Sequence, residues 1–274
     1  MSPAVARPVV VCDLDGVIWR GDQPLPGAAD GVARLRAADI RVGFVTNNSS
    51  QPVGDVVSKL EGAGVPAGAD DVITSAQAAA ALLASSLAPG AQVVACAGPG
   101  VIEAIEAVGL RLVDRAPADA VVVGLHRNFD FDELDRASAA VRGGARFVAT
   151  NLDPTYPVAD GMIPGSGAIA AAVATASGTT PEVAGKPEAP MAAVVRERLG
   201  ASGVVVGDRP SSDGAFANRL GWPFALVLSG VTSDPPVPGG EAVPDPPPQF
   251  VADDLGALAP RLAAALADSE KASS

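Results

Sequence analysis

The stretch that decides the fold of this chain is Pro8-Val9-Val10-Val11-Cys12-Asp13-Leu14-Asp15-Gly16-Val17. Its first residues are apolar and mostly β-branched, which is typical of a strand buried inside a parallel sheet. Two carboxylates, Asp13 and Asp15, follow this strand, and Gly16 allows the chain to turn sharply after them. Because ligands of open α/β sheets bind beyond the carboxyl ends of the strands, the stretch predicts a functional site at this turn.

The charge of the two neighbouring carboxylates limits what this site can be. Carboxylates this close repel each other unless a cation or a shared proton balances them, so the pair predicts a metal-assisted site. Two other interpretations stay open at this point, a solvated acidic turn and a Ca²⁺ loop. A Ca²⁺ loop needs oxygen ligands at the following positions, and Val17-Ile18-Trp19 offers no side-chain oxygen.

Composition and charge argue against several classes of partner. The 31 acidic and 19 basic residues give a net charge of −12 without any cluster of Lys or Arg, so we expect neither a nucleic-acid nor a membrane partner. No apolar stretch is long enough to span a bilayer, and Asp13 interrupts any signal-peptide core, so we expect a cytoplasmic protein. Cys12 and Cys96 lie in or beside predicted strands and are expected to be buried thiols. His126, the single histidine, is expected to be structural.

Apolar strands alternate with amphipathic helices along the chain. Residues 41–45 and 120–125 are predicted strands, and Asp130 with Glu133 marks the start of a helix that follows the second of them. The proline-rich residues 234–248 are expected to form an irregular loop. This rhythm predicts the α/β class, with a doubly wound and largely parallel sheet.

The rest of the chain carries three more polar groups just beyond predicted strands or in loops. They are Thr46-Asn47-Asn48, Lys186, and Asp208 with Asp213. Each group alone is ordinary turn or surface chemistry. Together with the first two carboxylates they supply what phosphoryl transfer needs: a nucleophile, a proton shuttle, oxygen ligands for Mg²⁺, and donors for the phosphoryl oxygens.

The order of these residues resembles the haloacid-dehalogenase-like phosphatases. The four motifs of that family are matched by Asp13-Leu14-Asp15-Gly16, Thr46-Asn47-Asn48-Ser49, Gly185-Lys186-Pro187, and Gly207-Asp208-Arg209 running to Asp213. The long interval between the second and third motifs resembles the inserted α/β cap of the NagD-like, p-nitrophenyl-phosphatase branch. Two signatures of that cap are matched by Thr150-Asn151-Leu152-Asp153-Pro154 and Pro164-Gly165-Ser166-Gly167.

The resemblance covers nearly the whole chain and implies its domain organisation. It implies a Rossmann-like catalytic core formed by residues 1–78 and 184–274, with an inserted α/β cap of residues 79–183. One motif departs from the family pattern, because Ser212-Asp213-Gly214 stands where Thr-Asp-Ile is usual. Gly214 loosens the start of the next helix, which affects how Asp213 is placed.

The resemblance also implies a role for each matching residue. Asp13 would be the nucleophile that forms an aspartyl-phosphate, and Asp15 would be the proton shuttle. The implied Mg²⁺ ligands are Asp13, the main-chain carbonyl of Asp15, Asp208, and Asp213 either directly or through water. The implied phosphate-binding and substrate-binding residues are Thr46, Asn47, Asn48, Lys186, and Asn151, Asp153 and Tyr156 of the cap.

The function implied is a Mg²⁺-dependent phosphatase for a small phosphorylated metabolite. Glycerol phosphate, phosphoglycolate, sugar phosphates, p-nitrophenyl phosphate and nucleotide-like esters are all within the reach of the family, and the cap suggests a homodimer. Two alternatives are a receiver-like phospho-acceptor and a non-catalytic phosphate-binding protein. Hydrolytic dehalogenation is disfavoured, because it needs neither Mg²⁺ nor the second acid that Asp15 and Asp208 supply.

Overall fold

The computed structural model describes residues 7–158, 161–233, 240–243 and 248–273. The chain divides into two compact units, the first formed by residues 1–45, 57–72 and 195–274 and the second by residues 46–56 and 73–194. The predicted cap, residues 79–183, falls within the second unit, and its ends stay a prediction.

Strands and helices alternate along the chain. The strands are β1 (Val9–Cys12), β2 (Trp19–Arg20), β3 (Gln23–Pro24), β4 (Arg41–Thr46), β5 (Val72–Thr74), β6 (Gln92–Cys96), β7 (Arg111–Leu112), β8 (Ala120–Val123), β9 (Arg146–Ala149), β10 (Thr155–Val158), β11 (Gly161–Pro164), β12 (Glu182–Val183), β13 (Val204–Gly207), β14 (Phe224–Val227), β15 (Thr232–Ser233), β16 (Glu241–Ala242) and β17 (Phe250–Ala252). The helices are α1 (Ala28–Ala37), α2 (Val53–Gly62), α3 (Ser75–Ala84), α4 (Pro99–Ala107), α5 (Phe131–Arg142), α6 (Ser166–Ser177), α7 (Ala189–Leu199), α8 (Ala215–Leu220) and α9 (Leu255–Ser273). Among the described residues, no helix is both long enough and apolar enough to cross a membrane.

The first unit is built on a parallel sheet with the strand order β17-β14-β13-β1-β4-β5, of which β5 begins in this unit at Val72. Strand β1 lies between β13 and β4, and Cys12 stands opposite Val206 on one side and Phe44 on the other. All four residues of β1 are buried, as its continuous apolar sequence predicts for a central parallel strand. The residues that follow β1 and β13 therefore emerge at the same edge of the sheet.

The second unit has its own parallel sheet, with the strand order β12-β9-β8-β6-β7. Helices α5 and α6 pack against one another and against this sheet. The core between them consists of small and β-branched side chains together with one aromatic ring: Val94, Cys96, Val121, Val123, Phe147 and Ala149 from the strands, Ala137, Ala140 and Val141 from α5, and Ile169, Ala170 and Val173 from α6. Two parallel sheets alternating with helices confirm the predicted α/β class.

Short strand pairs are the part of the fold that the sequence did not predict. Thr155–Val158 pairs antiparallel with Gly161–Pro164, in a part of the chain where no strand is predicted. Within the proline-rich segment, residues 234–239 and 244–247 lie outside the described residues. Glu241–Ala242 pairs with Thr232–Ser233, so this described part of the segment is not an irregular loop.

Candidate active site

The first group of predicted residues follows the central strand of the first unit. The Asp13 amide donates to the Val206 carbonyl at 2.9 Å, which continues the β1–β13 ladder by one residue. The chain then turns tightly, because the amides of Val17 and Ile18 both donate to the Leu14 carbonyl. Gly16 supports this turn with a φ of +84°, a conformation that other residues rarely adopt.

Three carboxylates of this unit converge at the edge of the sheet. One oxygen each of Asp13, Asp208 and Asp213 lies within 4.8 Å of the other two. Asp208 and Asp213 are buried, with exposed fractions of 4% and 1%, and Asp13 is half-buried. Three like charges this close are unfavourable unless a cation or protons balance them, and all of the ligand atoms are hard oxygens.

Asp208 follows β13 and is fixed by hydrogen bonds from the loop that follows β14. Its Oδ2 accepts the Val231 amide at 2.6 Å, and its main-chain carbonyl accepts the buried Thr232 hydroxyl at 2.5 Å. Its carboxylate lies closely against Gly16 and Gly230, because a Cβ on either glycine would overlap Asp208 Oδ2. The loop after β14 therefore holds this carboxylate in one place, and sequence reasoning did not identify that loop.

Asp213 is positioned by the π-helical turn Pro210–Gly214. Its Oδ2 accepts the Arg209 amide at 3.1 Å, and its own amide donates to the Arg209 carbonyl at 2.7 Å. Gly207 lies so close that a Cβ there would overlap the Asp213 side chain. The wide turn thus brings Asp213 into the carboxylate cluster even though Gly214 follows it.

Asp15 lies in the same turn but has a different partner. Its Oδ1 accepts the indole Nε1–H of Trp19 at 3.1 Å. Lys59 Nζ lies 4.5 Å from the centroid of the Trp19 ring and donates to the Gly21 carbonyl at 2.7 Å. These contacts fix the Trp19 ring and, through it, one oxygen of Asp15. Sequence reasoning did not predict this contact, although the four-residue spacing across a tight turn is compatible with it.

Burial of Cys12, one residue before Asp13, raises the pKa of its thiol to about 12, and the Asp13 charge adds to that increase. The thiol therefore stays protonated at neutral pH and is a poor nucleophile.

The second group of predicted residues lies in the second unit and centres on Asn47. Its Oδ1 accepts the Lys186 amide at 2.8 Å, and its Nδ2 donates to the Lys186 carbonyl at 3.1 Å. Nδ2 also lies 3.2 Å from Asp153 Oδ2. The Asn47 side chain thus binds both the main-chain amide and the main-chain carbonyl of the buried Lys186.

The main chain of Asn47 is held equally firmly. Its carbonyl accepts the Asn151 Nδ2–H at 2.7 Å and the Ser75 hydroxyl at 2.6 Å. Close by in the chain, the hydroxyl of the buried Thr46 accepts the Asn48 amide at 3.0 Å. The second motif and the first cap signature are therefore joined through the Asn47 backbone.

The predicted cap residues Asn151 and Tyr156 are hydrogen-bonded to Asn47 and Asn48 of the second motif. Asn48 Nδ2 donates to the Tyr156 hydroxyl at 3.0 Å, and Asn151 Oδ1 accepts the Asp153 amide at 3.0 Å. The two cap signatures pack together, because a Cβ on Gly165 would overlap the Asp153 carbonyl and one on Gly167 the Leu152 carbonyl.

The structure therefore gathers the predicted residues into two sets. Asp13, Asp208 and Asp213 form one cluster, with Asp15 in the same turn. Thr46, Asn47, Asn48, Lys186, Asn151, Asp153 and Tyr156 belong to one hydrogen-bonded segment of the second unit. The chemical roles of both sets stay predictions.

Family models match both ends of the chain. A haloacid dehalogenase-like hydrolase model matches residues 10–111, and a HAD-hydrolase-like model matches residues 183–258. The D-glycerol 3-phosphate phosphatase of Mycobacterium tuberculosis is 42% identical over 236 residues, which cover 85% of this chain and 66% of that protein. An acid sugar phosphatase of Staphylococcus epidermidis is 33% identical over 89% of this chain and 93% of its own length.

Solved structures show the same similarity. A p-nitrophenyl phosphatase from Archaeoglobus fulgidus has a TM-score of 0.84 at 30% identity, covering 94% of this chain and 100% of that one. The glycerol phosphate phosphatase of Mycobacterium tuberculosis in complex with magnesium has a TM-score of 0.83 at 40% identity, covering 92% of this chain and 76% of that one.

Proposed function

The chain belongs to the haloacid dehalogenase-like hydrolases and is a phosphatase of that family. We propose that it hydrolyses small phosphate monoesters through an aspartyl-phosphate at Asp13, with Mg²⁺ as cofactor. The observation that supports this most strongly is the convergence of Asp13, Asp208 and Asp213. One of the three follows the central strand directly, as a nucleophile at the sheet edge must.

The carboxylate cluster fits a hard divalent cation. Its three ligand atoms are oxygens that lie within 4.8 Å of one another, and two of the side chains are buried. We assign Asp13, Asp208 and the Asp15 main-chain carbonyl as ligands of Mg²⁺, with Asp213 supporting them directly or through water. When bound, Mg²⁺ supplies positive charge that offsets the carboxylates and the phosphoryl oxygens.

In the proposed reaction, Asp13 is the nucleophile and Asp15 transfers protons. An oxygen of Asp13 attacks phosphorus, the bond from phosphorus to the ester oxygen breaks, and Asp15 donates its proton to the departing alcohol. In the second step Asp15 accepts a proton from water while the water oxygen attacks the aspartyl-phosphate. Inorganic phosphate leaves, and both carboxyl groups return to their starting states.

Trp19 suits Asp15 to this shuttle. The indole N–H occupies Oδ1 and can only donate. The indole thus fixes the orientation of the carboxyl group that we propose as the proton shuttle.

The phosphoryl group needs donors as well as a metal. We propose that Thr46 supplies a hydroxyl, that Asn47 and Asn48 supply main-chain amides, and that Lys186 supplies an ammonium for its oxygens. Lys186 is 6% exposed and its main chain is fixed by Asn47, which supports a defined position for its side chain.

The names of the relatives support a proposal for the class of substrate. Their names specify D-glycerol 3-phosphate, acid sugars and p-nitrophenyl phosphate, so we propose a small phosphorylated polyol or sugar. Asn151, Asp153 and Tyr156 are the proposed substrate contacts in the cap. A homodimer formed through residues 79–183 and a cytoplasmic location stay predictions, of which light scattering tests the first.

Phosphate release tests the proposal directly. The enzyme is incubated with each of a panel of phosphate esters, in Mg²⁺ or in excess EDTA. The panel contains D-glycerol 3-phosphate, phosphoglycolate, several sugar phosphates, a nucleotide and p-nitrophenyl phosphate. We expect turnover that requires Mg²⁺ and is abolished by Asp13→Asn. Asp70→Asn, an exposed carboxylate on a short turn of the first unit, is the matched control and is expected to keep full activity.

Acid-quenched reactions analysed by mass spectrometry locate the phosphoryl group. A phosphorylated Asp13 during turnover supports the mechanism, whereas turnover that survives Asp13→Asn contradicts it. Stoichiometric phosphorylation without turnover on any ester would indicate a receiver-like acceptor instead. Phosphate binding without either reaction would indicate a non-catalytic binding protein.

A further inference from the structure

A second cluster of metal-ligating side chains lies in the second unit, among residues that the phosphatase site does not use. It consists of Cys96, His126 and Glu133, and one ligand atom of each lies within 4.8 Å of the other two. Cys96 ends β6, His126 follows β8, and Glu133 lies in the first turn of α5. Because β6 and β8 are neighbouring parallel strands, with Cys96 opposite Val123, the first two side chains leave the sheet at the same edge.

The donor set differs from that of the carboxylate cluster. A thiol, an imidazole and a carboxylate together suit a borderline-soft cation, whereas Mg²⁺ takes oxygen ligands. We propose that Cys96, His126 and Glu133 form a binding site for a divalent cation of the Zn²⁺ class, with water as the fourth ligand. The ion would tie β6, the loop after β8, and α5 together.

The orientation of His126 supports this assignment. Its Nδ1 lies 3.1 Å from the Gly124 carbonyl, which can only accept, so Nδ1 carries a hydrogen and Nε2 faces the cluster. Metal-binding histidines are commonly oriented in this way, with the distal ring nitrogen donating to a main-chain carbonyl. Phe129 also packs its ring edge-on to the imidazole, with centroids 5.9 Å apart.

The contact between His126 and Glu133 is already close to the spacing of two metal ligands. His126 Nε2 and Glu133 Oε2 are 2.7 Å apart, at hydrogen-bond distance. Two ligands of a tetrahedral Zn²⁺ lie roughly 3.3 Å apart, so this contact opens by less than about 1 Å. The Glu133 side chain is 19% exposed, whereas Cys96 is fully buried, so the cluster meets solvent at its carboxylate.

The protons balance in a simple way. The ion replaces the hydrogen bond between His126 and Glu133 and the proton of the Cys96 thiol, and the displaced protons go to solvent. Burial raises the pKa of the Cys96 thiol to about 12, and the Glu133 charge adds to that increase.

Cobalt binding tests the site through its sulfur ligand. The full-length protein carrying Asp208→Asn, which weakens binding at the carboxylate cluster, is titrated with Co²⁺. We expect a thiolate-to-cobalt charge-transfer band in the near ultraviolet at one equivalent, visible bands typical of tetrahedral cobalt, and loss of both when Zn²⁺ is added. Cys96→Ser should abolish the charge-transfer band, and Cys12→Ala, the other buried cysteine, should retain it.

A second variant and a second readout cover the case in which Cys96→Ser does not fold. His126→Gln removes a more accessible ligand and should lower the Co²⁺ affinity at least about tenfold, with the circular dichroism spectrum unchanged. In the Asp208→Asn background, Zn²⁺ should raise the melting temperature by more when His126 is intact than when His126→Gln is added. The absence of a sulfur band in the Asp208→Asn protein, a band that survives Cys96→Ser, or an unchanged Co²⁺ affinity in His126→Gln would overturn the proposal.

Discussion

The indole N–H of Trp19 donates to Asp15 Oδ1 at 3.1 Å, across a turn of four residues. The turn that makes this contact possible is closed by the Gly16 amide, which donates to the Trp19 carbonyl at 2.7 Å. Lys59 covers the ring from above and limits its rotation. The carboxyl group that we propose as the proton shuttle is thus held by a donor that cannot itself accept a proton.

Trp19→Phe tests the importance of that contact. The variant keeps an aromatic ring beneath Lys59 and removes only the N–H, so we expect kcat to fall roughly 10–100-fold while KM stays within about twofold. Trp222→Phe is the matched control, because its Nε1 donates to the Ala201 carbonyl at 3.0 Å and lies outside the proposed machinery. Equal kcat values for the two variants, measured with p-nitrophenyl phosphate, would show that Trp19 does not position Asp15.

Gly230→Ala tests the close approach of the loop after β14 to Asp208. A Cβ at Gly230 would overlap the Asp208 carboxylate, which must then move out of the cluster. We expect the Mg²⁺ concentration needed for half-maximal activity to rise at least about tenfold, as measured by activity titration. Gly54→Ala is the control, since nothing lies within 4 Å of its added Cβ and it sits exposed on α2. A normal Mg²⁺ requirement in Gly230→Ala would contradict the role given to this contact.

The sequence predicts the strands and the order of the site residues because both are local. A run such as Val9–Cys12 carries its own burial pattern, and the carboxylates follow it directly. The contacts of Asp208 with Val231 and Gly230 join positions more than twenty residues apart, and they depend on where a loop returns. No local pattern contains that information.

The histidine illustrates a different limit of sequence reasoning. A single histidine in a sequence is more often structural, and His126 is indeed hydrogen-bonded to Gly124 and Glu133. Its proximity to Cys96 arises from the pairing of β6 with β8, thirty residues apart. Spacing along the chain does not follow any familiar metal motif, so only the folded structure brings the three ligands together.

The two cysteines should be inert to thiol reagents in the native protein. Both are buried, and burial raises each thiol pKa from 9.0 to about 12, so the thiolate fraction near neutral pH falls about a thousandfold. We expect negligible reaction with Ellman's reagent in EDTA, and reaction of two thiols per chain once urea is added. Rapid labelling of either cysteine without urea would contradict the burial of that strand end.

Asn47→Asp should be the most damaging conservative change in the second motif. The new oxygen would face the Lys186 carbonyl and Asp153 Oδ2, so two hydrogen bonds become repulsive contacts. We expect the free energy of unfolding to fall by roughly 2–4 kcal/mol in urea titrations, and kcat/KM to fall at least about tenfold as Lys186 loses its support. Asn48→Asp is the matched control, because its Nδ2 donates to the Tyr156 hydroxyl at 3.0 Å, and a hydroxyl can rotate to donate to a carboxylate. If both variants are equally stable, Asn47 does not hold Lys186 through its side chain.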